Sequence, residues 1–205
     1  MAATEIRRAP SRRRWWLGAV TVGTVLVSGY AALVLGSGLR FLPDEVAANH
    51  EQLFVWIHVA FAAFALVLMP MQLSSSVRNR HRRVHRMTGR VYAACAVVGG
   101  VFGALAALTT DNGLVAGAGF FTLAVAWVTT TVAAVVAARS GRTTDHRRWA
   151  ARSAALVFAG VTLRLELPLA MAISGAGFGV VYPIVAWLCW VPNILVVESA
   201  RRMAT

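Results

Sequence analysis

The chain has 205 residues, of which 58% are hydrophobic and 14% charged, whereas soluble domains are about 45–50% apolar and about 25% charged. The formal net charge is +12, and all 20 of the basic residues counted as lysine or arginine are arginines. Apolar stretches fill about two thirds of the length, so the chain has no room for an appended soluble catalytic domain. Its composition also excludes a secreted disulfide framework and a sheet-based fold.

Six apolar stretches follow one another along the chain, at residues 15–36, 52–73, 91–109, 114–138, 150–174 and 178–198. A helix needs about 20 apolar residues to cross the hydrocarbon core of a bilayer, and each stretch approaches or exceeds that length. We therefore predict an all-α fold, a polytopic transmembrane helical bundle of six spans. The bundle occupies residues 15–199, with a basic tail at 1–14 and a short tail at 200–205. Glycines and alanines in spans three to five predict close helix packing at the centre.

The arginines predict the orientation of the bundle. Eighteen of the 20 lie before span one, between spans two and three, around the connection of spans four and five, or after span six. With six spans these segments share one side of the membrane, as the positive-inside rule requires of the cytoplasmic side. The opposite side receives Arg40, Asp44, Glu45, Glu51 and Asp111. We expect a multi-pass protein of the bacterial plasma membrane with both termini cytoplasmic. Its expected partners are lipids, including anionic headgroups, and not nucleic acid.

Three ionisable residues fall inside the predicted spans: His58 in span two, and Arg164 and Glu166 in span five. Counted from the outer ends, they lie roughly 9, 15 and 12 Å deep. Charged groups at such depth usually face the protein interior and find partners. Arg164 and Glu166 are two positions apart on one helix and point in different directions, so each requires a partner on another helix. Two interpretations remain open, a packing clamp and a transport or proton-conducting site.

A second group of histidines stands at the bases of spans three and five. His81 and His85 are four residues apart and share a helix face, and His146 precedes span five. No nearby cysteine or carboxylate set completes a zinc site, so we predict no metal-ion site. Histidines facing anionic lipid are one interpretation, which suits His81 best.

The sharper interpretation is a cofactor site at the inner side of the bundle. Imidazoles from two helices can ligate a b-type haem, and arginines can pair with its propionates. The predicted cofactor-binding residues, for one haem b or a quinone, are His85, His146, Arg86, Arg90 and Arg152. His58 lies too far away to be the second ligand of that haem. A two-haem relay is disfavoured, because the outer level offers only His58 with His50 in or near the loop.

Four segments resemble, in this order, a family of bacterial predicted membrane proteins catalogued as a domain of unknown function. They are residues 85–92 (His-Arg-Met-Thr-Gly-Arg-Val-Tyr), 146–153 (His-Arg-Arg-Trp-Ala-Ala-Arg-Ser), 161–165 (Val-Thr-Leu-Arg-Leu) and 187–193 (Trp-Leu-Cys-Trp-Val-Pro-Asn). The resemblance extends over about residues 52–199. The family usually has a bulkier pair where Met87 and Thr88 stand.

The resemblance implies a helical membrane domain with histidine and arginine positions at His58, His85, His146 and Arg164, and it implies no activity. No nucleophile–base pair, glycine-rich phosphate loop or paired carboxylates supports a hydrolase or a kinase. Three hypotheses follow, from different classes. They are a membrane redox protein with one haem or quinone, a transporter or proton conductor using the intramembrane cluster, and a non-catalytic membrane scaffold.

Overall fold

The computed structural model of the protein describes residues 11–37 and 53–202. Within these residues the chain is helical and contains no strand. In chain order the helices are α1 (Ser11–Ser37), α2 (Leu53–Leu73), α3 (Ser75–Arg80), α4 (Arg82–Leu108), α5 (Gly113–Arg139), α6 (Thr143–Val157), α7 (Ala159–Ser174), α8 (Phe178–Leu188) and α9 (Val191–Arg202). Outside the described residues lie most of the predicted N-terminal tail, the end of the C-terminal tail, and Arg40, Asp44, Glu45, His50 and Glu51.

Five helical segments are long and apolar enough to cross a membrane: Leu53–Leu73, Arg82–Leu108, Gly113–Arg139, Thr143–Ser174 and Phe178–Arg202. They coincide with predicted spans two to six, and the protein is a multi-pass helical membrane protein. The first predicted span corresponds to α1, in which the apolar stretch described, Gly18–Leu33, is shorter. The crossing by span one, and with it the total of six spans, therefore stays a prediction, as does the cytoplasmic position of the termini.

Helix α1 nevertheless packs into the bundle. The Ser28 hydroxyl, buried in the contact with α2, donates to the Ala63 carbonyl at 3.2 Å. Gly23 faces α7 closely, since a Cβ there would lie 3.2 Å from Val161 Cγ1. A polar contact of this kind is favourable in lipid, where water offers no competing hydrogen bond.

Small side chains fill the centre of the bundle, as the sequence predicts. Helix α2 packs along α4, α4 along α5, and α5 along α6. Gly99 and Gly100 are buried, and the buried apolar residues are dominated by alanine. Large apolar side chains such as Leu114, Leu165 and Ile173 point outward. In a soluble protein the large apolar residues are buried instead. The reverse arrangement is stable in a membrane, because lipid solvates leucine as well as the protein interior does.

A closed ring of hydrogen bonds joins α4, α5 and α6 in the buried core. Tyr92 Oη and Ser153 Oγ are 2.7 Å apart, as are Ser153 Oγ and Thr131 Oγ1. Thr131 donates to the Trp127 carbonyl at 2.8 Å, and Trp127 Nε1 donates to Tyr92 Oη at 3.4 Å. Because a carbonyl only accepts, the proton of Thr131 is assigned, so Ser153 donates to Thr131 and Tyr92 donates to Ser153. Each hydroxyl in the ring therefore both donates and accepts.

Two of the spans are interrupted within the bundle, which the hydropathy pattern does not reveal. Span five breaks at Phe158, between α6 and α7, and span six breaks at Cys189 and Trp190, between α8 and α9. Pro192 accounts for the second break, since proline lacks the N–H that would bond to the carbonyl of Leu188.

Asn193 fills the space between the two breaks. Its Nδ2 donates to the carbonyl of Cys189 at 2.9 Å, to Thr162 Oγ1 at 3.2 Å and to the carbonyl of Ala155 at 3.3 Å. The Thr162 hydroxyl also donates to the Cys189 carbonyl. Phe158 and Cys189 keep helical backbone angles, and the Asn193 amide donates to backbone carbonyls beside both interruptions.

Candidate functional site

The arginine-rich end of the bundle comprises residues 74–90, residues 139–152 and the last turn of α9. Helix α4 begins at Arg82, nine residues before the predicted span, because arginine is a good helix former and the backbone keeps its hydrogen bonds beyond the hydrocarbon. Helix α6 likewise begins at Thr143 instead of residue 150. These extensions carry the predicted histidines and arginines on ordered helices.

The structure places both His85 and His146 at this end. Burial, and then the charges of Arg78 and of a protonated His146, lower the pKa of the His85 imidazole. His146 Nδ1 lies 2.9 Å from the Ala134 carbonyl of α5. Because that oxygen only accepts, Nδ1 carries the proton, and Nε2 of the neutral ring keeps its lone pair. His85 is half-buried, and within the described residues its Nδ1 atom is shielded from solvent without a hydrogen-bond partner.

A shallow cavity of about 340 Å³, open to solvent over much of its surface, lies beside His85. It is bounded by α3, by the first turns of α4 and by the start of α6, and its lining residues are Arg78, Asn79, Arg82, His85, Arg86, Thr143 and Arg147. Of the predicted arginines, Arg86 lines this cavity and Arg90 lies exposed one turn further along α4. The cavity thus collects polar and positively charged groups from two connections of the bundle.

Arg152, the third predicted arginine, is already paired. Its Nε donates to Glu198 Oε1 at 2.7 Å, and its Nη2 donates to Glu198 Oε2 at 3.2 Å. Its guanidinium carbon lies 4.5 Å from the centroid of the Trp149 ring. This two-pronged ion pair fastens α6 to α9, and sequence analysis missed it because the partners are 46 positions apart.

His58 lies inside the bundle against α4. Its Nδ1 is 2.7 Å from the Gly99 carbonyl, so this nitrogen also carries the proton. The ring occupies space that glycine leaves free, because a Cβ at Gly103 would lie 2.6 Å from His58 Nδ1. Gly99 and Gly103 therefore position this histidine as well as the helices.

Arg164 approaches His58, whereas Glu166 does not. Arg164 interacts electrostatically with His58, lies 5.9 Å from the centroid of the Tyr30 ring, and donates through Nη1 to the Gly160 carbonyl at 2.9 Å. Its Nε is buried without a hydrogen-bond partner in the described chain, and so is Glu166 Oε2.

Tyrosines complete the surroundings of Arg164, and sequence analysis did not select them. Tyr30 comes from α1, and the centroid of its ring lies 5.9 Å from the guanidinium carbon. Tyr182 comes from α8. Their only signal in the sequence is that they are tyrosines within apolar stretches. Over the residues the structure covers, no group of three or more His, Cys, Asp or Glu side chains is arranged to hold a metal ion.

A family described as "Predicted membrane protein (DUF2306)" matches residues 55–200 of the chain. These residues include both candidate clusters and all four segments that carried the resemblance. Neither the curated proteins nor the solved structures give a match.

Proposed function

The chain belongs to the DUF2306 family of predicted membrane proteins, and from this premise we propose that it is a membrane redox protein that holds one b-type haem through His85 and His146. The haem would lie at the arginine-rich end and carry one electron at a time between the ferric and ferrous states. By the positive-inside rule this end faces the cytoplasm of a bacterial cell, with both termini on the same side.

The hydrogen bond from His146 to Ala134 is the observation that carries this proposal. Histidines that bind metals usually donate their other ring N–H to a carbonyl or carboxylate, which fixes the tautomer and the ring orientation. His146 has this arrangement, and His85, whose Nδ1 has no hydrogen-bond partner in the described residues, lies on another helix at the same end of the bundle. His58 shares the tautomer, but it lies inside the bundle against α4, away from the arginine-rich end where His85 and His146 are found.

Arg86 and Arg90 would pair with the propionates, since both follow His85 on α4 within about one or two turns. Arg152 would not bind a propionate, because its guanidinium already forms an ion pair with Glu198. It would hold α6 and α9 in place beside the haem. A quinone is the alternative cofactor at this place, where the same imidazoles and arginines would donate hydrogen bonds to its oxygens.

A reduced-minus-oxidised absorption spectrum of the protein purified in mild detergent tests the proposal. We expect the bands of a six-coordinate b-type haem, and we expect them to disappear in His85→Ala and in His146→Ala. His81→Ala is the matched control, because His81 is an exposed histidine of the same end and should leave the spectrum unchanged.

A protein that folds and shows no haem bands after expression with ample haem would contradict haem binding. Solvent extraction of the same sample tests for a quinone. The extract of the wild type should then contain about one quinone per protein, and the extracts of the His85→Ala and His146→Ala variants should contain none. If both cofactors are absent and all three variants keep their partner proteins, the scaffold hypothesis replaces the redox proposal.

The unpaired polar atoms around Arg164 favour a second function, conduction of protons or a small anion through the bundle. Arg164 Nε and Glu166 Oε2 are buried without hydrogen-bond partners in the described residues. A group that merely clamps helices would be expected to have all its polar atoms satisfied, because each unsatisfied one costs about 1–3 kcal/mol. Unsatisfied groups inside a membrane often mark a route for ions or protons.

Flux measured in liposomes with a pH-sensitive dye tests this second function. We expect Arg164→Gln and His58→Ala to abolish proton flux, since each removes one member of the cluster. Asp111→Asn, which changes an acid in the connection between α4 and α5, should conduct like the wild type. Equal flux from all three variants would eliminate the cluster as a pathway.

A further inference from the structure

The arginines at the arginine-rich end fall into two groups that differ in their partners. In the described chain the carboxylates of this end are Asp145 and Glu198. Asp145 lies 3.5 Å from Arg142 and 3.8 Å from Arg148, and Glu198 lies 2.7 Å from Arg152 and 3.3 Å from Arg201. Both carboxylates are therefore used by arginines that do not line the cavity.

The arginines that line the cavity have no such partner. Within the described residues no carboxylate oxygen lies within 4.0 Å of Arg78, Arg82, Arg86 or Arg147; Arg86 Nε reaches only the Arg82 carbonyl, at 3.4 Å. Four guanidiniums thus border about 340 Å³ without a protein counter-charge. Their mutual repulsion is uncompensated, so an anion in the cavity would gain attraction from every side.

The other lining groups also suit an anion. Asn79 supplies an amide and Thr143 a hydroxyl, both able to donate a hydrogen bond. The shielded Nδ1 of His85, without a partner in the described residues, is a third polar group at the edge of the cavity. Guanidiniums bind the oxygens of carboxylates and phosphates through two parallel N–H groups, so these donors suit either anion better than a halide. Four positive charges and several donors match the dianionic, three-oxygen phosphate better than a carboxylate.

We propose that this cavity binds a phosphomonoester group. The group has up to two negative charges and three free oxygens, which four arginines and three further polar groups can share. Two sources carry this chemistry at the edge of a membrane: the headgroup of a phosphatidic-acid-type lipid, and a soluble phosphate. The inference does not rest on the haem proposal, because Arg78, Arg82 and Arg147 have no part in that proposal. His85 and Arg86 are used in both, so the two ligands would compete for these side chains.

Binding to two probes distinguishes the sources. The full-length protein in detergent is titrated with inorganic phosphate by calorimetry, and the protein in phosphatidylcholine nanodiscs is compared with nanodiscs that contain phosphatidic acid, with lipid retention read by native mass spectrometry. Saturable binding of inorganic phosphate assigns the site to a soluble ligand. Retention of about one phosphatidic acid per protein, without binding of inorganic phosphate, assigns it to the lipid.

A pair of double variants tests the residues. Arg78→Gln with Arg147→Gln should weaken binding at least about tenfold, since the pair of substitutions removes two charged hydrogen-bond donors from the cavity. Arg142→Gln with Arg148→Gln removes the same number of charges from the same end but spares the cavity, and should change binding less than about threefold. The Arg78→Lys, Arg147→Lys variant keeps both positive charges but lacks the paired N–H groups of the guanidinium. Its affinity for the anion is expected to lie between the affinities of the two glutamine double variants.

Circular dichroism and the haem content of each variant show whether it folds and whether the histidine site is affected. If neither probe binds saturably to the wild type, the proposal is overturned. It is overturned equally if the two glutamine variants weaken binding to the same extent, because the anion would then respond only to the overall surface charge. If the Arg78→Gln, Arg147→Gln variant does not fold, the binding of the Arg78→Lys, Arg147→Lys variant is compared with that of the Arg142→Gln, Arg148→Gln control instead.

Discussion

Replacing Gly117 by leucine is expected to lower the free energy of unfolding by about 3 kcal/mol, because overpacked cores cost about 1–3 kcal/mol and here the obstruction is backbone. Gly117 is buried on α5, and a Cβ at this position would lie 2.9 Å from the Ala107 carbonyl oxygen of α4. A side-chain neighbour could turn aside, but a carbonyl held in a helix cannot. The two helices of this hairpin would have to separate, which gives up contacts along their whole length.

The measurement is the unfolding transition in mixed detergent micelles as the mole fraction of SDS increases, followed by circular dichroism. Gly29→Leu is the matched control, because Gly29 is exposed on α1 and a Cβ there meets nothing within 4 Å. It should be neutral or slightly stabilising, since glycine is about 1 kcal/mol worse than alanine in a helix. Equal midpoints for the two leucine variants would show that α4 and α5 do not approach as closely as described.

Replacing Ser153 by alanine is expected to cost about 1–3 kcal/mol, because the change breaks the hydrogen-bonded ring at two places. Ser153 is fully buried, accepts from Tyr92 and donates to Thr131. Without it the Tyr92 proton has no acceptor, and the Thr131 oxygen loses a donor. Hydrogen bonds between membrane helices average about 0.6 kcal/mol. The expected cost of about 1–3 kcal/mol is larger because the change leaves two buried polar groups unsatisfied.

The same SDS titration measures this effect, and a double-mutant cycle with Tyr92→Phe isolates the coupling. Thr129→Val serves as the control, since Thr129 lies exposed on α5 and its hydroxyl bonds only to Val125 of its own helix. We expect the combined Ser153 and Tyr92 variant to be less destabilised than the sum of the single variants. Strict additivity would indicate that the two hydroxyls do not interact.

Hydropathy predicted where the chain crosses a membrane, but it did not predict where the helices begin and end. The span expected at 91–109 is the apolar part of α4, which begins at Arg82. Lipid selects apolar residues, whereas a helix continues wherever its backbone bonds persist, so the two boundaries need not coincide. The interruptions at Phe158 and at Cys189–Trp190 were missed for a similar reason: both lie in stretches that are apolar throughout.

The candidate site shows the same division. Charge patterning was enough to select His85, His146 and Arg86, because histidines and arginines at the bases of two apolar stretches are few. It could not reveal that Glu198 takes Arg152, or that Arg78, Arg82 and Arg147 border a cavity with Arg86. Those relations depend on contacts between segments distant in sequence.

The sequence by itself determined that this is a helical, multi-pass membrane protein with its positive charge concentrated in a few connections. Length and hydropathy suffice for that conclusion because the bilayer acts on each segment separately. Only the tertiary structure decided which arginines are neutralised, which histidine nitrogen carries a proton, and which polar groups close the ring around Ser153. A hydrogen bond or an ion pair requires two groups within a few ångströms, and helix packing, which single-segment hydropathy does not encode, brings those groups together.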